Sequence, residues 1–346
     1  MNTDVIVGLQ HGDEGKGKVM NWLLRSHRDQ TNINKYDYCV RFNGGPNAGH
    51  TIYINNSKIV LHQIPIGIVY GIPSIIGPSC VLDIDKLEKE KADLRSIGIT
   101  NIESILYISY NTHIIDKKHI EEDRTTDKVG STLSGIRPTY RDKYNRRGTR
   151  VENIPTSDNT LCGCRVIDPY ELFYKRSETL NILCEGAQGF ELDIDWGDYP
   201  FVTSSNCIAG FCCTAGIPSQ TIKKVYGIAK IYETYVGKKR FQPTDDIFKQ
   251  LQVLGNEFGA TTGRPRQCNW LNLNRLIRAI YINGVTDLII NKCDILQQLG
   301  VYKLIDTDEH LITFNTFDEM QEYILKQLEF STFIRKITFS KSKDTV

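Results

Sequence analysis

Short runs of apolar and β-branched residues alternate along this chain with stretches whose apolar positions recur at helical spacing. Strands are predicted at 4–8, 37–43, 104–109, 181–185, 223–231, 287–291 and 333–339, and helices over 18–27, 84–96, 270–282 and 317–329. Alternating strands and helices build an α/β fold, here with a mainly parallel central sheet flanked by helices. Ligands of such sheets gather at the carboxyl ends of the strands. One stretch breaks the rhythm. Residues 114–160, rich in Asp, Lys, Arg and Thr, read as a long surface excursion, either disordered or a lid and partner-contact region. Length alone would allow two domains, but no repeat or low-complexity linker divides the chain, so 1–346 is expected to be a single domain.

Composition narrows the partners. With 40% hydrophobic and 24% charged residues the chain is an ordinary globular one, and its net charge of +1 gives nucleic acid or an anionic membrane no foothold. No apolar run is long enough to span a bilayer, and Met1-Asn2-Thr3-Asp4 leads straight into a strand, so neither signal peptide nor membrane span is expected. The ten cysteines contain no C-x-x-C pair and several lie in apolar runs, which reads as buried free thiols in a reducing, cytoplasmic setting.

The candidate chemistry starts where the first strand ends. Gly8-Leu9-Gln10-His11-Gly12-Asp13-Glu14-Gly15-Lys16-Gly17-Lys18 runs from a strand into a helix. Glycines let backbone N–H groups turn toward an anion, a helix N-terminus adds partial positive charge, and lysines add point charges. Gly12 to Lys18 fits the letters of a P-loop, yet Val19 stands where that motif needs a metal-binding hydroxyl. Asp13 is the odd member. A carboxylate inside an anion loop suits a site that holds Mg²⁺ or removes a proton beside a phosphate.

Further motifs also follow predicted strands. Asn43-Gly44-Gly45-Pro46-Asn47-Ala48-Gly49-His50-Thr51 sets His50, a group that titrates near neutrality, on a loop where backbone can approach a ligand. Gly130 to Pro138, followed by Arg146-Arg147-Gly148, offers hydroxyls and guanidinium forks to an oxyanion, though a solvated basic surface has the same letters. Glu185-Gly186-Ala187-Gln188-Gly189 supplies an amide able to read a base edge, and Thr203 a hydroxyl for phosphate. Gly259-Ala260-Thr261-Thr262-Gly263-Arg264-Pro265-Arg266 carries two hydroxyls and two arginines, a grip for a small dicarboxylate. Asn291-Lys292-Cys293-Asp294 ends a strand, and its Asp can accept both guanine N1–H and the 2-amino group, donors that adenine lacks.

In this order, from the glycine-rich loop through Leu61-His62-Gln63-Ile64-Pro65 to Asp294, the motifs resemble those of the adenylosuccinate synthetase family, in a compact form. The resemblance implies a P-loop-like, GTPase-related architecture with long active-site loops. It also implies a ligase that joins L-aspartate to IMP with GTP and Mg²⁺, through a 6-phosphoryl purine, in a homodimer. Carried over, it makes Asp13, His50, Lys16 and Gln188 catalytic, with Asp13 and the Gly49 carbonyl on the metal. Asn47, Thr132, Gln188, Thr203 and Arg264 would hold the purine nucleotide, with Arg146 reaching in from the other subunit. Thr261, Thr262, Arg264 and Arg266 would bind aspartate. GTP would meet Gly12, Glu14, Gly15, Lys16, Gly17, Lys18, Thr51, Arg266, Lys292 and Asp294.

The chain departs from the family pattern near the purine nucleotide. Ser134 stands where an arginine is expected, Leu133 where a glycine is, Arg137 is an addition, Pro46 is unusual, and His11 replaces a tryptophan. Two other readings therefore stay open. One is the viral relative of the family that aminates (d)GMP, giving 2-amino-(deoxy)adenylosuccinate for diaminopurine nucleotides. The other, from a different class, is a non-catalytic GTP-binding regulator.

Overall fold

The computed structural model describes residues 1–31, 34–54, 57–127, 129–155, 158–175, 177–259, 263–342 and 346. Ten strands form its main sheet: β1 (Asn2–Gly8), β2 (Tyr38–Arg41), β3 (Ser74–Ile76), β4 (Leu106–Ser109), β5 (Thr160–Leu161), β6 (Cys164–Ile167), β7 (Asn181–Glu185), β8 (Ile222–Lys230), β9 (Asp287–Asn291) and β10 (Lys336–Phe339). Their order is β10-β9-β8-β1-β7-β2-β3-β4-β6-β5, with every pair parallel except β5 against β6. The predicted parallel α/β sheet is therefore the one observed.

β1 lies in the middle for a physical reason. Val5 and Val7 face one core with Val40, Ile182 and Ile290, while Ile6 faces the other with Val19, Met20, Leu183 and Ile289. A strand apolar on both faces is stable only where helices cover both sides, and each such buried side chain contributes about 1.5–3 kcal/mol. Strands run outward from β1 in both directions, so the crevice beyond its carboxyl end is the natural ligand site.

Two sequence expectations are corrected, and a third is narrowed. Within 104–109, Ile102–Ile105 is a helical turn and only Leu106–Ser109 is strand. Of 270–282, the first three residues belong to the strand Gln267–Asn272, which pairs antiparallel with Tyr232–Tyr235, and the helix spans Leu273–Asn283. Asn272 sets that boundary, because its side chain accepts the N–H of Arg275 at 2.9 Å and caps the helix. The polar stretch 114–160, expected to be either disordered or a lid, carries regular structure among its described residues. It carries helices α2 (Lys117–Thr126) and α3 (Ile136–Tyr144), packed together through Ile115, Ile120, Ile136 and Tyr140 against Val81. Four apolar residues scattered among so many charges leave no visible period. All ten cysteines are free and most are buried. Among the described residues no helix is long and apolar enough to cross a membrane.

Candidate active site

The loop after β1 is shaped by its own carboxylate. Glu14 is fully buried, and its Oε1 accepts the N–H groups of Gln10 (3.1 Å) and Gly12 (2.9 Å). Its Oε2 accepts from Lys16 Nζ at 2.7 Å, and that ammonium also donates to the carbonyl of Gln188. Helix α1 (Lys16–Thr31) starts there. Gly15, at φ +93°, has the Asn291 amide 2.9 Å from where a Cβ would stand, and Gly17 has the Thr51 carbonyl at 2.7 Å. Both glycines are required by close approach. The Glu14 side chain is sealed inside the loop and shapes it, so any contact with a nucleotide there falls to its backbone. Lys18 donates to Asn291 Oδ1 (3.1 Å), Ser340 Oγ (2.5 Å) and the Ser342 carbonyl (2.6 Å), beside the end of the strand Asp287–Asn291.

Asp13 occupies the loop apex at φ +60°, a left-handed conformation that Asp tolerates better than most residues. Its Oδ2 lies 2.8 Å from Arg266 Nε, and Arg266 also pairs with Glu257 at 2.6 Å. Burial alone would raise the Glu257 carboxyl, but Lys230, Arg266 and Lys292 hold it at about 2.

His50 stands on a second charged assembly. Its Nδ1 hydrogen-bonds the fully buried Glu185, whose Oε1 also accepts from Arg41 Nη2 at 2.8 Å and whose Oε2 accepts the Ile66 N–H at 2.8 Å. With Nδ1–H donated to Glu185, Nε2 is left buried with no hydrogen-bond partner among the described residues. Burial, then the nearby Arg41, holds the imidazole at about 4 against the pull of Glu185, so the ring is neutral at pH 7. Gln188, at φ +57°, likewise has both amide atoms buried and without a partner among the described residues. Polar groups left bare in a folded interior cost energy unless a ligand completes them.

These groups share a cleft of about 880 Å³. It brings together Gly12, Asp13, Lys16, Asn47, Gly49, His50, Thr132, Gln188, Thr203 and Arg264, residues that the sequence scatters over some 250 positions. One wall is the α2–α3 segment from Asp123 to Arg137, the other the Tyr199–Ser204 stretch. Arg264 reaches from its loop to the carbonyls of Gly130 and Ser131 at 3.4 Å. His11 lines the cleft in the tryptophan's place and packs its ring against Phe241 (4.9 Å) and Tyr235 (5.5 Å).

Other assigned residues fall elsewhere. Lys292 and Asp294 stand apart from the cleft at the end of β9, where helix α4 (Cys293–Leu299) begins. Asn291 connects that place to the anion loop by donating to the Glu14 carbonyl at 2.8 Å. Arg146 is exposed at φ +59° and does not line this chain's cleft. Thr261 and Thr262 lie outside the described residues. Sequence reasoning gave no role to Glu185, Arg41, Glu257 or Asp123. Glu185 opens a motif already recognised and Arg41 closes a strand, but nothing in the letters shows that the two charges meet.

A family model for adenylosuccinate synthetase matches residues 5–166 and 163–307. The chain belongs to the adenylosuccinate synthetase family. As a member of that family it is a ligase. It is 40% identical over 345 residues to the adenylosuccinate synthetase of Cytophaga hutchinsonii, covering 86% of this chain and 78% of that one. With the Thermodesulfovibrio yellowstonii enzyme it shares 39% over 351 residues, covering 88% and 80%. Among solved structures, fully ligated adenylosuccinate synthetase from Plasmodium falciparum superposes with a TM-score of 0.83 at 27% identity, over 99% of this chain and 98% of that one. The succinoaminodeoxyadenylate synthetase of cyanophage S-2L, bound to dGMP and to dATP as energy donor, gives 0.75 at 23% identity and covers 99% and 93%, a likeness of fold.

Proposed function

We propose that this cleft joins L-aspartate to IMP with GTP as energy source, through a 6-phosphoryl purine. The observation that carries the reading is Asp13, His50 Nε2 and the Gln188 amide converging on one cleft beside an anion loop. Asp13 takes the N1 proton of the base, so that O6 attacks the γ-phosphorus of GTP. The new O6–P bond forms as the bond to the GDP oxygen breaks. The aspartate amine then attacks C6, the C6–O6 bond breaks, phosphate leaves, and the amine releases a proton. Phosphorylation is needed because an oxo group is a poor leaving group.

The buried pairs define what each side chain does. Glu185 and Arg41 hold His50 with Nε2 toward the transferring group, as a lone pair in the neutral ring and a donor once protonated. Lys16 and the loop amides balance phosphate charge. Gln188, Asn47, Thr132 and Thr203 hold the purine nucleotide, Arg264 and Arg266 with Thr261 and Thr262 the aspartate, and Lys292 with Asp294 the guanine. Mg²⁺ fits the donor set, since the Asp13 carboxylate and the Gly49 carbonyl are hard oxygens on the cleft wall. Bound there, the ion would neutralise charge on the transferring phosphoryl group. We place the enzyme in the cytoplasm as a homodimer, with Arg146 acting across the interface; its exposure outside its own cleft supports that role.

Aspartate-dependent phosphate release from GTP, run in parallel with IMP, GMP and dGMP, tests the reading. Release with IMP is the expected result. Release with dGMP alone would move the acceptor to the diaminopurine route, and GTP turnover indifferent to aspartate would leave a regulator.

A further inference from the structure

Counting cations against anions exposes a gap in the purine-nucleotide site. GTP has Lys16 and its loop, and aspartate has Arg264 and Arg266. The 5′-phosphate of the acceptor has the hydroxyls of Thr132 and Thr203 from its own subunit but no guanidinium to itself, because Arg146 lies outside this cleft and Arg264 is shared with the aspartate. We infer that Arg137 is the guanidinium this chain sets on the 5′-phosphate of the acceptor nucleotide, a specificity residue that rests on the reading above.

Arg137 lies in the first turn of α3 and lines the cleft with Ser131 and Thr132. Its side chain is 47% exposed, so a ligand can reach it, and it is also held in place. Its Nε lies 3.7 Å from Asp123 Oδ1, and Nη2 donates to the Thr126 hydroxyl. Asp123 is fixed in turn, because its Oδ2 accepts the Gly135 N–H at 3.0 Å. Its buried Oδ1 has no hydrogen bond among the described residues and lies beside the guanidinium. A buried carboxylate therefore steers one edge of Arg137 and leaves other N–H groups for an oxyanion.

The neighbouring acid does not compete for this charge. Asp127 pairs with Lys238 at 3.1 Å and accepts the N–H groups of Gly130 and Ser131. Ser134, where an arginine was expected, is buried and accepts Lys86 Nζ at 3.1 Å. The guanidinium missing at 134 is thus replaced three residues later, on the same wall.

Calorimetric IMP binding to Arg137→Met and Arg137→Lys, without GTP or aspartate, tests this separately from turnover. Arg137→Met should weaken IMP roughly 10- to 100-fold and leave inosine, which has no phosphate, unchanged, while Lys recovers part of the loss. In steady state the KM for IMP should rise while those for GTP and aspartate stay within about twofold. Equal losses for IMP and inosine, an unchanged IMP affinity, or a rise confined to the aspartate KM would each overturn it. A wild-type enzyme that binds IMP but releases no phosphate would instead refute the reaction.

Discussion

Asp13 is presented to the cleft by a left-handed backbone that a larger side chain would resist, and its carboxylate shares Arg266 with Glu257. Asp13→Asn keeps that shape and removes the proposed base. We expect kcat for phosphate release to fall roughly 10²- to 10⁴-fold while IMP binding survives. Leu133 has the same backbone problem without a compensating role, at φ +54° and 37% exposed where the family has glycine. Leu133→Gly should raise stability by about 1 kcal/mol, read from urea unfolding. Glu233 offers a pH test. Burial, then the charge of Glu191, raises its carboxyl from 4.5 to about 7. The unfolded chain loses this proton near the lower value and the folded protein near the upper one. Stability therefore falls as pH climbs through that window and falls no further above it. Glu233→Gln should be more stable than the parent at pH 8 by on the order of 1–3 kcal/mol, with no such gain at pH 4, as urea midpoints at both pH values would show.

Elements whose ends carry a local signal were readable from sequence. The helix Ile84–Ser96 falls where its apolar spacing predicted it, and the structure adds that Asp83 caps it by accepting the Lys86 N–H at 3.1 Å. β7 and β9 match to the residue because both are short apolar runs cut off by polar residues. The strand Gln267–Asn272 was lost to the helix that follows, since its pairing partners are distant and a short apolar run does not declare its period. The same limit hid the Arg41–Glu185–His50 assembly, which exists only because β2 and β7 pair in register. At the end of β9, Lys292 adopts φ +67° and donates to the Gly255 carbonyl at 2.8 Å, and Asp294 opens α4. If Asp294 reads guanine, Asp294→Asn should shift preference from GTP toward XTP by on the order of 100-fold, because an amide N–H suits the C2 oxygen that repels a carboxylate. Competition between the two nucleotides in the phosphate assay measures it.

For the whole molecule, the sheet supplies order and the long segments supply chemistry. The cleft draws one wall from α2–α3 and the other from the stretch after β7, while β1 carries the loop between them. If Arg146 acts across a dimer interface as proposed, one chain alone holds an incomplete site. Asp13→Ala and Arg146→Ala proteins, each inactive, should recover activity when mixed, since a hybrid dimer restores one intact site; no recovery would exclude sharing between subunits. The carboxylate of Glu14 has a consequence for how the protein meets its nucleotides. By filling the inside of the loop it acts as a resident counter-anion, so the loop is already folded before any phosphate arrives. Nucleotide capture should then be a docking event without a slow ordering step, and the binding energy stays available for the chemistry.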